Sequence, residues 1–220
     1  MKVCFINPPW LYNLPTMDRT SNLLGILYLA TMAKTEGHQV QIIDALRQGS
    51  GRWEQVVYYG HTYYRFGLPY EEIVAQVSDD TDCVALSAPF TNLFHVIRDL
   101  AALLRSKHPK ALIALGGGLP SAATDLCMGL DCVDLVLLGE GDVTFTDFLR
   151  HPDRAQASQG PMLLAGAPVE DLDDLSMPDR GLLNTESYFG FGARNRTRLP
   201  TASLITSRGC PYNCHFCSIH

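Results

Sequence analysis

Short apolar runs recur along the chain at Val3–Ile6, Val40–Ile43, Cys83–Ser87, Leu112–Leu115 and Leu135–Leu138. Each is too short for a buried helix and ends in Gly, Pro, Ser or Asp, which predicts five buried strands. Helices are predicted between them over Leu23–Glu36, Tyr70–Val77, Leu93–Ser106, Ser121–Gly129 and Val143–Arg150. In the third, Leu93, Val96, Ile97, Leu100 and Leu104 fall on one helical stripe. Strands that are apolar almost throughout, alternating with helices, imply a parallel sheet covered on both faces. The expected fold is therefore α/β, with an open, doubly wound, five-stranded Rossmann-like sheet over residues 1–150.

Two stretches break this pattern. Residues 46–69 are too long for a simple connection and carry Trp53, Phe66 and the pairs Tyr58-Tyr59 and Tyr63-Tyr64. They read either as a functional or contact surface or as a packed Ω-loop without chemistry of its own. Residues 151–200 hold Pro152, Pro161, Pro168, Pro178 and Pro200 and the acidic run Glu170-Asp171-Leu172-Asp173-Asp174, without a sustained period. They read as a linker ordered in places. After it, Ala202–Thr206 is expected as a strand, and Ser207-Arg208-Gly209 turns the chain into a cysteine-rich loop. Residues 201–220 then read as the start of a further domain.

Composition narrows the partners. The 220 residues are 46% hydrophobic and 18% charged, with a formal net charge of -6 and no Lys/Arg run, which argues against a nucleic-acid partner. No apolar stretch approaches the roughly 20 residues that span a bilayer. The apolar core of Met1–Pro9 is too short for a signal peptide, so a cytoplasmic location is expected. Of seven cysteines, Cys4, Cys83, Cys127 and Cys132 are scattered on apolar elements and read as small buried hydrophobes. His38, His61, His95 and His108 read as surface or loop histidines.

The remaining three cysteines are clustered as Cys210-Pro211-Tyr212-Asn213-Cys214-His215-Phe216-Cys217. Three soft thiolates in eight residues can converge on zinc or an iron–sulfur cluster. With three ligands, a [4Fe–4S] cluster keeps one iron open for a chelating molecule. Ferredoxin runs differ, needing a fourth Cys and a Pro after the last one, whereas Pro211 follows the first. A closed Cys₃His zinc site completed by His220 is also compatible with the spacing.

The segment from Ser207 to Cys217 resembles the CxxxCxxC signature of the radical S-adenosylmethionine (SAM) superfamily, including the aromatic Phe216 before the last Cys. The resemblance implies that Cys210, Cys214 and Cys217 hold a [4Fe–4S] cluster and that Phe216 packs on the cluster or near the SAM adenine. It also implies that Thr201–Thr206 is the first strand of a partial β/α barrel. In that superfamily the cluster cleaves SAM to a 5′-deoxyadenosyl radical, with electrons from a donor such as flavodoxin or ferredoxin.

The loops after the strands carry a second signal. They are Asn7-Pro8-Pro9-Trp10, Ser87-Ala88-Pro89-Phe90-Thr91-Asn92, Gly116-Gly117-Gly118-Leu119-Pro120 and Gly139-Glu140-Gly141-Asp142. Doubly wound sheets bind ligands at this edge, and glycines permit close backbone approach to a flat or phosphate-bearing ligand. A dinucleotide would need its glycine fingerprint after the first strand, where Asn7–Trp10 has no Gly.

In order, these loops, with Ile43-Asp44-Ala45, Thr144-Phe145 and Leu172-Asp173-Asp174-Leu175 through Pro178-Asp179-Arg180, resemble the cobalamin-binding domain that precedes the barrel in many radical SAM enzymes. The resemblance implies cobalamin contacts from Pro9, Trp10, Ser87, Thr91, Gly116, Gly117, Gly118, Gly139, Glu140 and Gly141. It implies a SAM- and cobalamin-dependent methyltransferase acting on an unactivated carbon or phosphorus of a small molecule or natural product. Many cobalamin domains carry an Asp-x-His-x-x-Gly motif; here the first loop has no His, and Asp44-Ala45-Leu46-Arg47-Gln48-Gly49 has Leu in its place. Cobalamin without a histidine ligand is therefore expected, its lower face met by water or by Trp10, Leu11 or Tyr12. Because the sequence ends three residues after Cys217, the expected alternative to an enzyme is a cobalamin-binding module that does not catalyse alone.

Overall fold

The computed structural model describes residues 1–15, 23–156, 160–183, 188, 203–212, 214, 215 and 217. Its strands are β1 (Lys2–Asn7), β2 (Trp10–Tyr12), β3 (Gln39–Asp44), β4 (Trp53–Tyr58), β5 (His61–Phe66), β6 (Cys83–Ser87), β7 (Leu112–Gly116), β8 (Leu135–Leu138) and β9 (Met162–Ala165). Its α-helices are α1 (Leu24–Thr35), α2 (Ala45–Gln48), α3 (Tyr70–Val74), α4 (Phe94–Lys107), α5 (Gly118–Ala122), α6 (Thr124–Met128), α7 (Asp142–Arg150) and α8 (Asp153–Gln156).

All five expected strands form and pair in parallel, in the order β3-β1-β6-β7-β8-β9. Side chains alternate along each strand. Cys4 and Ile6 of β1 face a core built with α3 and α4 (Ile73, Val96, Ile97, Leu100), while Val3 and Phe5 face one built with α1 and α7 (Ile26, Ala30, Phe145, Phe148). Helices thus cover both faces, as the unbroken apolar runs require. The chain direction across the sheet reverses between β1 and β6, so the switch point of this doubly wound sheet lies between Asn7 and Ser87.

The structure corrects four expectations about the secondary-structure elements. Among the described residues the sheet has six strands, because Met162–Ala165, inside the expected linker, pairs with Leu135–Leu138. Its Met162 and Leu164 pack on the α1/α7 core, so the sheet continues past residue 150. The aromatic stretch is not an Ω-loop: Trp53–Tyr58 and His61–Phe66 form an antiparallel hairpin whose Tyr59-Gly60 turn has φ of 51° and 77°. This is the twist that favours two-residue turns, and β2 adds to it as a third strand. The helix expected over Ser121–Gly129 starts early and breaks at Ala123 into α5 and α6. Residues 203–206 are not a strand, having no ladder partner among the described residues, while 201–202 lie outside them.

Cys4, Cys83 and Cys127 are buried as expected, and Cys132 is partly so. Burial pushes the Cys4 thiol up to about 12 and that of Cys127 to about 11, making them poor nucleophiles. His108 is not at the surface; it is buried after α4, with Nε2 3.4 Å from the Val74 carbonyl. Among the described residues no helix is long and apolar enough to cross a membrane.

Candidate functional site

The carboxyl ends of the parallel strands carry two cavities on either side of the Gly116–Gly118 loop. The first, of about 310 Å³, lies above Phe5, Ala85 and Leu137 and runs under α1; Ser87, Gly116, Gly117, Gly139, Glu140 and Gly141 line it. The second, of about 610 Å³, lies between the hairpin layer and α5, lined by Trp10, Leu11, Tyr12, Phe90, Thr91 and Gly118. Both volumes fall in the range of small-molecule and cofactor sites, and together they flank the switch point of the sheet.

The loops converge because two glycines let them. Gly117 adopts φ +116°, and a Cβ there would lie 2.7 Å from the Ala88 carbonyl oxygen. One at Gly118 would lie 2.5 Å from that of Pro89. The two loops are joined by Ala88 N–H donating to Gly116 (2.7 Å) and Leu119 N–H to Ala88 (2.8 Å). The glycine run thus first allows the chain to approach itself, and by doing so opens a cavity on each side.

The wall of the second cavity is aromatic. Trp10 packs edge-to-face on Phe90 at 5.3 Å, and Tyr12 leans on Trp53 at 5.9 Å. The Trp10 Nε1–H is buried and finds no hydrogen-bond acceptor among the described residues. A buried donor left unpaired is costly, which suits a wall completed by an acceptor on a ligand. In the first cavity, Gly25 at the start of α1 offers a gap: a Cβ there would meet no atom within 4 Å.

At the far side of the switch point, Asn7 and Asp44 close the ends of β1 and β3. The Asn7 amide donates to Asp44 Oδ1 (2.8 Å), the Arg47 N–H to the same oxygen (3.2 Å) and the Tyr188 hydroxyl to Oδ2 (2.5 Å). Burial pushes the Asp44 carboxyl above its usual range, and these donors pull the other way. Tyr188 thereby ties a residue beyond the sixth strand to the sheet edge.

Of the residues expected to contact a cofactor, nine line one cavity or the other. Pro9 lines neither; it is buried against Gly67, and its ring is used in packing the hairpin. Glu140 is committed within the chain: its Oε2 accepts from Val169 N–H (3.0 Å) and from Arg208 (3.1 Å). Phe216 lies outside the described residues. Cys210 is exposed, Cys214 and Cys217 are partly buried, and Cys217 N–H donates to the Cys214 carbonyl in a tight turn (2.9 Å). Among the described residues no three Cys, His, Asp or Glu side chains stand close enough to hold one metal ion, so this conformation does not gather the three thiols. Sequence reasoning missed Gly25, Phe90, Ile205 and Arg208, all of which line the cavities. For Arg208 the signal was its place in Ser-Arg-Gly-Cys, read as a turn into the cysteine motif and given no contact of its own.

Residues 20–149 match the family model of the B12 binding domain, more than half of the chain. The chain belongs to the B12-binding domain family. Similar proteins extend the comparison across the cysteine loop. An uncharacterized methyltransferase of Pyrococcus horikoshii is 25% identical over 233 residues, covering 99% of this chain and 45% of the relative. The cytidylyl-2-hydroxyethylphosphonate methyltransferase of Streptomyces wedmorensis is 26% identical over 254 residues, covering 99% and 47%. The cobalamin-dependent radical SAM methyltransferase TokK of Streptomyces tokunonensis is 28% identical over 150 residues, 63% of this chain and 22% of TokK. The chain spans about half the length of the first two relatives or less of the third. The resemblance of the strand-end loops to a B12-binding domain is thus borne out at the level of family, and the α/β fold is the one such a domain requires.

Proposed function

We propose that this B12-binding chain serves a cobalamin-dependent radical SAM methyltransferase that acts on an unactivated carbon or phosphorus of a small molecule. The observation that carries the reading is the pair of cavities at the switch point, in a chain that also bears three cysteines at CxxxCxxC spacing. Trp10, Thr91 and Gly118 would border the flat corrin ring, while Ser87, Gly116, Gly117, Gly139 and Gly141 would border the narrower cavity that accepts its nucleotide tail. Among the described residues neither cavity wall holds a histidine, and Trp10, Leu11 and Tyr12 would keep a strong ligand from the lower face of cobalt. When bound, cobalamin supplies a methyl carrier. The aromatic wall would lie against the corrin, and the apolar floor of Phe5, Ile26, Leu137 and Phe145 would hold the tail by burial.

Cys210, Cys214 and Cys217 would hold a [4Fe–4S] cluster with one iron left for SAM, fed by a one-electron donor such as flavodoxin or ferredoxin. Phe216 would shield it. Anaerobic reconstitution with iron and sulfide tests this directly. Roughly four iron and four sulfide per chain, with broad brown absorption, are expected from Cys₃-held clusters of this class. Tight binding of zinc, with a colourless product and no iron retained, would overturn the radical SAM reading in favour of a closed zinc site.

A further inference from the structure

The segment leading into the cysteine loop does not hang free of the B12-binding fold. Ile205 and Arg208 both line the first cavity, facing the glycine loops. The Arg208 guanidinium donates through Nη1 to Asp142 Oδ2 (2.6 Å) and Glu140 Oε2 (3.1 Å) and through Nη2 to Asp142 Oδ1 (3.3 Å). It also sits over the Tyr28 ring of α1 at 5.0 Å. These partners are shielded, the side chains being 17% (Arg208), 25% (Glu140) and 7% (Asp142) exposed. A forked guanidinium on a carboxylate is specific in geometry as well as favourable. Glu140 is a junction, because it also accepts from Val169 N–H after β9, and Arg180 fastens the same segment by donating to the Ser203 carbonyl (2.6 Å).

We infer that Arg208 is a positioning residue: its pairing with Asp142 and Glu140 pins the cysteine loop, two residues downstream, to the rim of the cavity, so that filling the cavity and placing the loop are coupled. This rests on the reading of the cavity as a cobalamin site only for the identity of what fills it. A ligand entering between Gly25, Gly116 and Leu137 comes up against Ile205 and Arg208 and holds them in place. The loop is then set at a fixed distance from the cofactor edge of the sheet.

Trypsin reads the latch directly, because cleavage after Arg208 requires its side chain to leave the two carboxylates. Appearance of the 209–220 peptide is followed by mass spectrometry on the full chain under reducing conditions, with and without hydroxocobalamin, whose binding is monitored by visible absorption. Asp142→Asn and Glu140→Gln should each speed this cut by about tenfold, the factor that corresponds to about 1.4 kcal/mol, while cuts after the exposed Arg154 keep their rate. Arg208→Lys keeps a tryptic site at the chain periphery but loses the fork, so it should also be cut faster with the melting temperature unchanged, which guards against misfolding at Asp142. Hydroxocobalamin should slow the cut in the wild type and lose that effect in the three variants. Equal cleavage rates in wild type and all three variants would overturn the latch. Bound corrinoid that leaves wild-type cleavage unchanged would overturn the coupling. A failure to bind corrinoid at all would instead strike the proposed function, with the latch still judged by the variants alone.

Discussion

Gly25 offers the sharpest perturbation of the site, because it separates ligand from fold. It stands in the first turn of α1, lines the first cavity, and a Cβ added there meets no atom within 4 Å. Gly25→Leu should therefore leave folding intact and even stabilise it by up to about 1 kcal/mol, since glycine is a poor helix former. The leucine side chain would project into the open space of the cavity beside Ile26, Leu29, Leu137 and Phe145. A ligand tail must displace it, which should weaken binding by about tenfold, equivalent to about 1.4 kcal/mol. Titration with hydroxocobalamin, followed by visible absorption beside a urea melt, measures both quantities on one sample. Unchanged affinity in a variant of normal stability would refute the assignment of this cavity to the cofactor tail.

Other substitutions probe separate parts of the account. Gly117→Ala should cost about 2–4 kcal/mol, from a Cβ 2.7 Å from the Ala88 oxygen and a backbone at φ +116°; a urea midpoint within error of wild type would contradict the account of the glycine loop. Asp44→Asn replaces an acceptor of three hydrogen bonds and should destabilise by about 1–3 kcal/mol at neutral pH. The folded Asp44 carboxyl is raised, so the wild type loses stability from this group as pH climbs from the unfolded carboxyl value to the folded one. The variant should lack that fall when urea melts are compared between these pH values. Cys214→Ser should abolish iron retention in anaerobic reconstitution while leaving corrinoid uptake intact, and iron held at the wild-type ratio would remove Cys214 from the ligand set.

The strand and helix pattern was legible because the central parallel strands are buried on both faces, so runs such as Val3–Ile6 and Leu135–Leu138 carry no polar residue to blur them. The sixth strand was hidden for the opposite reason. At the sheet edge Met162 and Leu164 are half-buried while Leu163 and Ala165 are exposed, and a four-residue edge strand between prolines looks like loop. The hairpin was hidden by its turn, since Tyr59 takes a positive φ that aromatic residues seldom adopt, and by strand β4, whose burial barely alternates. In the site, the glycine loops announced themselves, but not which atoms they approach: Gly117 and Gly118 meet Ala88 and Pro89, partners that only the tertiary fold brings near. Arg208 is the clearest loss, because its carboxylates lie 66 and 68 residues away and no local spacing reports such a pairing.

Cobalamin should bind at the switch point against an aromatic wall, without a histidine on cobalt. Electron paramagnetic resonance of the chain loaded with hydroxocobalamin and reduced by one electron measures this most directly, because a nitrogen ligand splits the cobalt lines. One bound corrinoid with no nitrogen splitting is expected, unchanged in His38→Ala and His95→Ala variants. A nitrogen-split spectrum that either variant abolishes, or a chain that takes up no corrinoid, would contradict it.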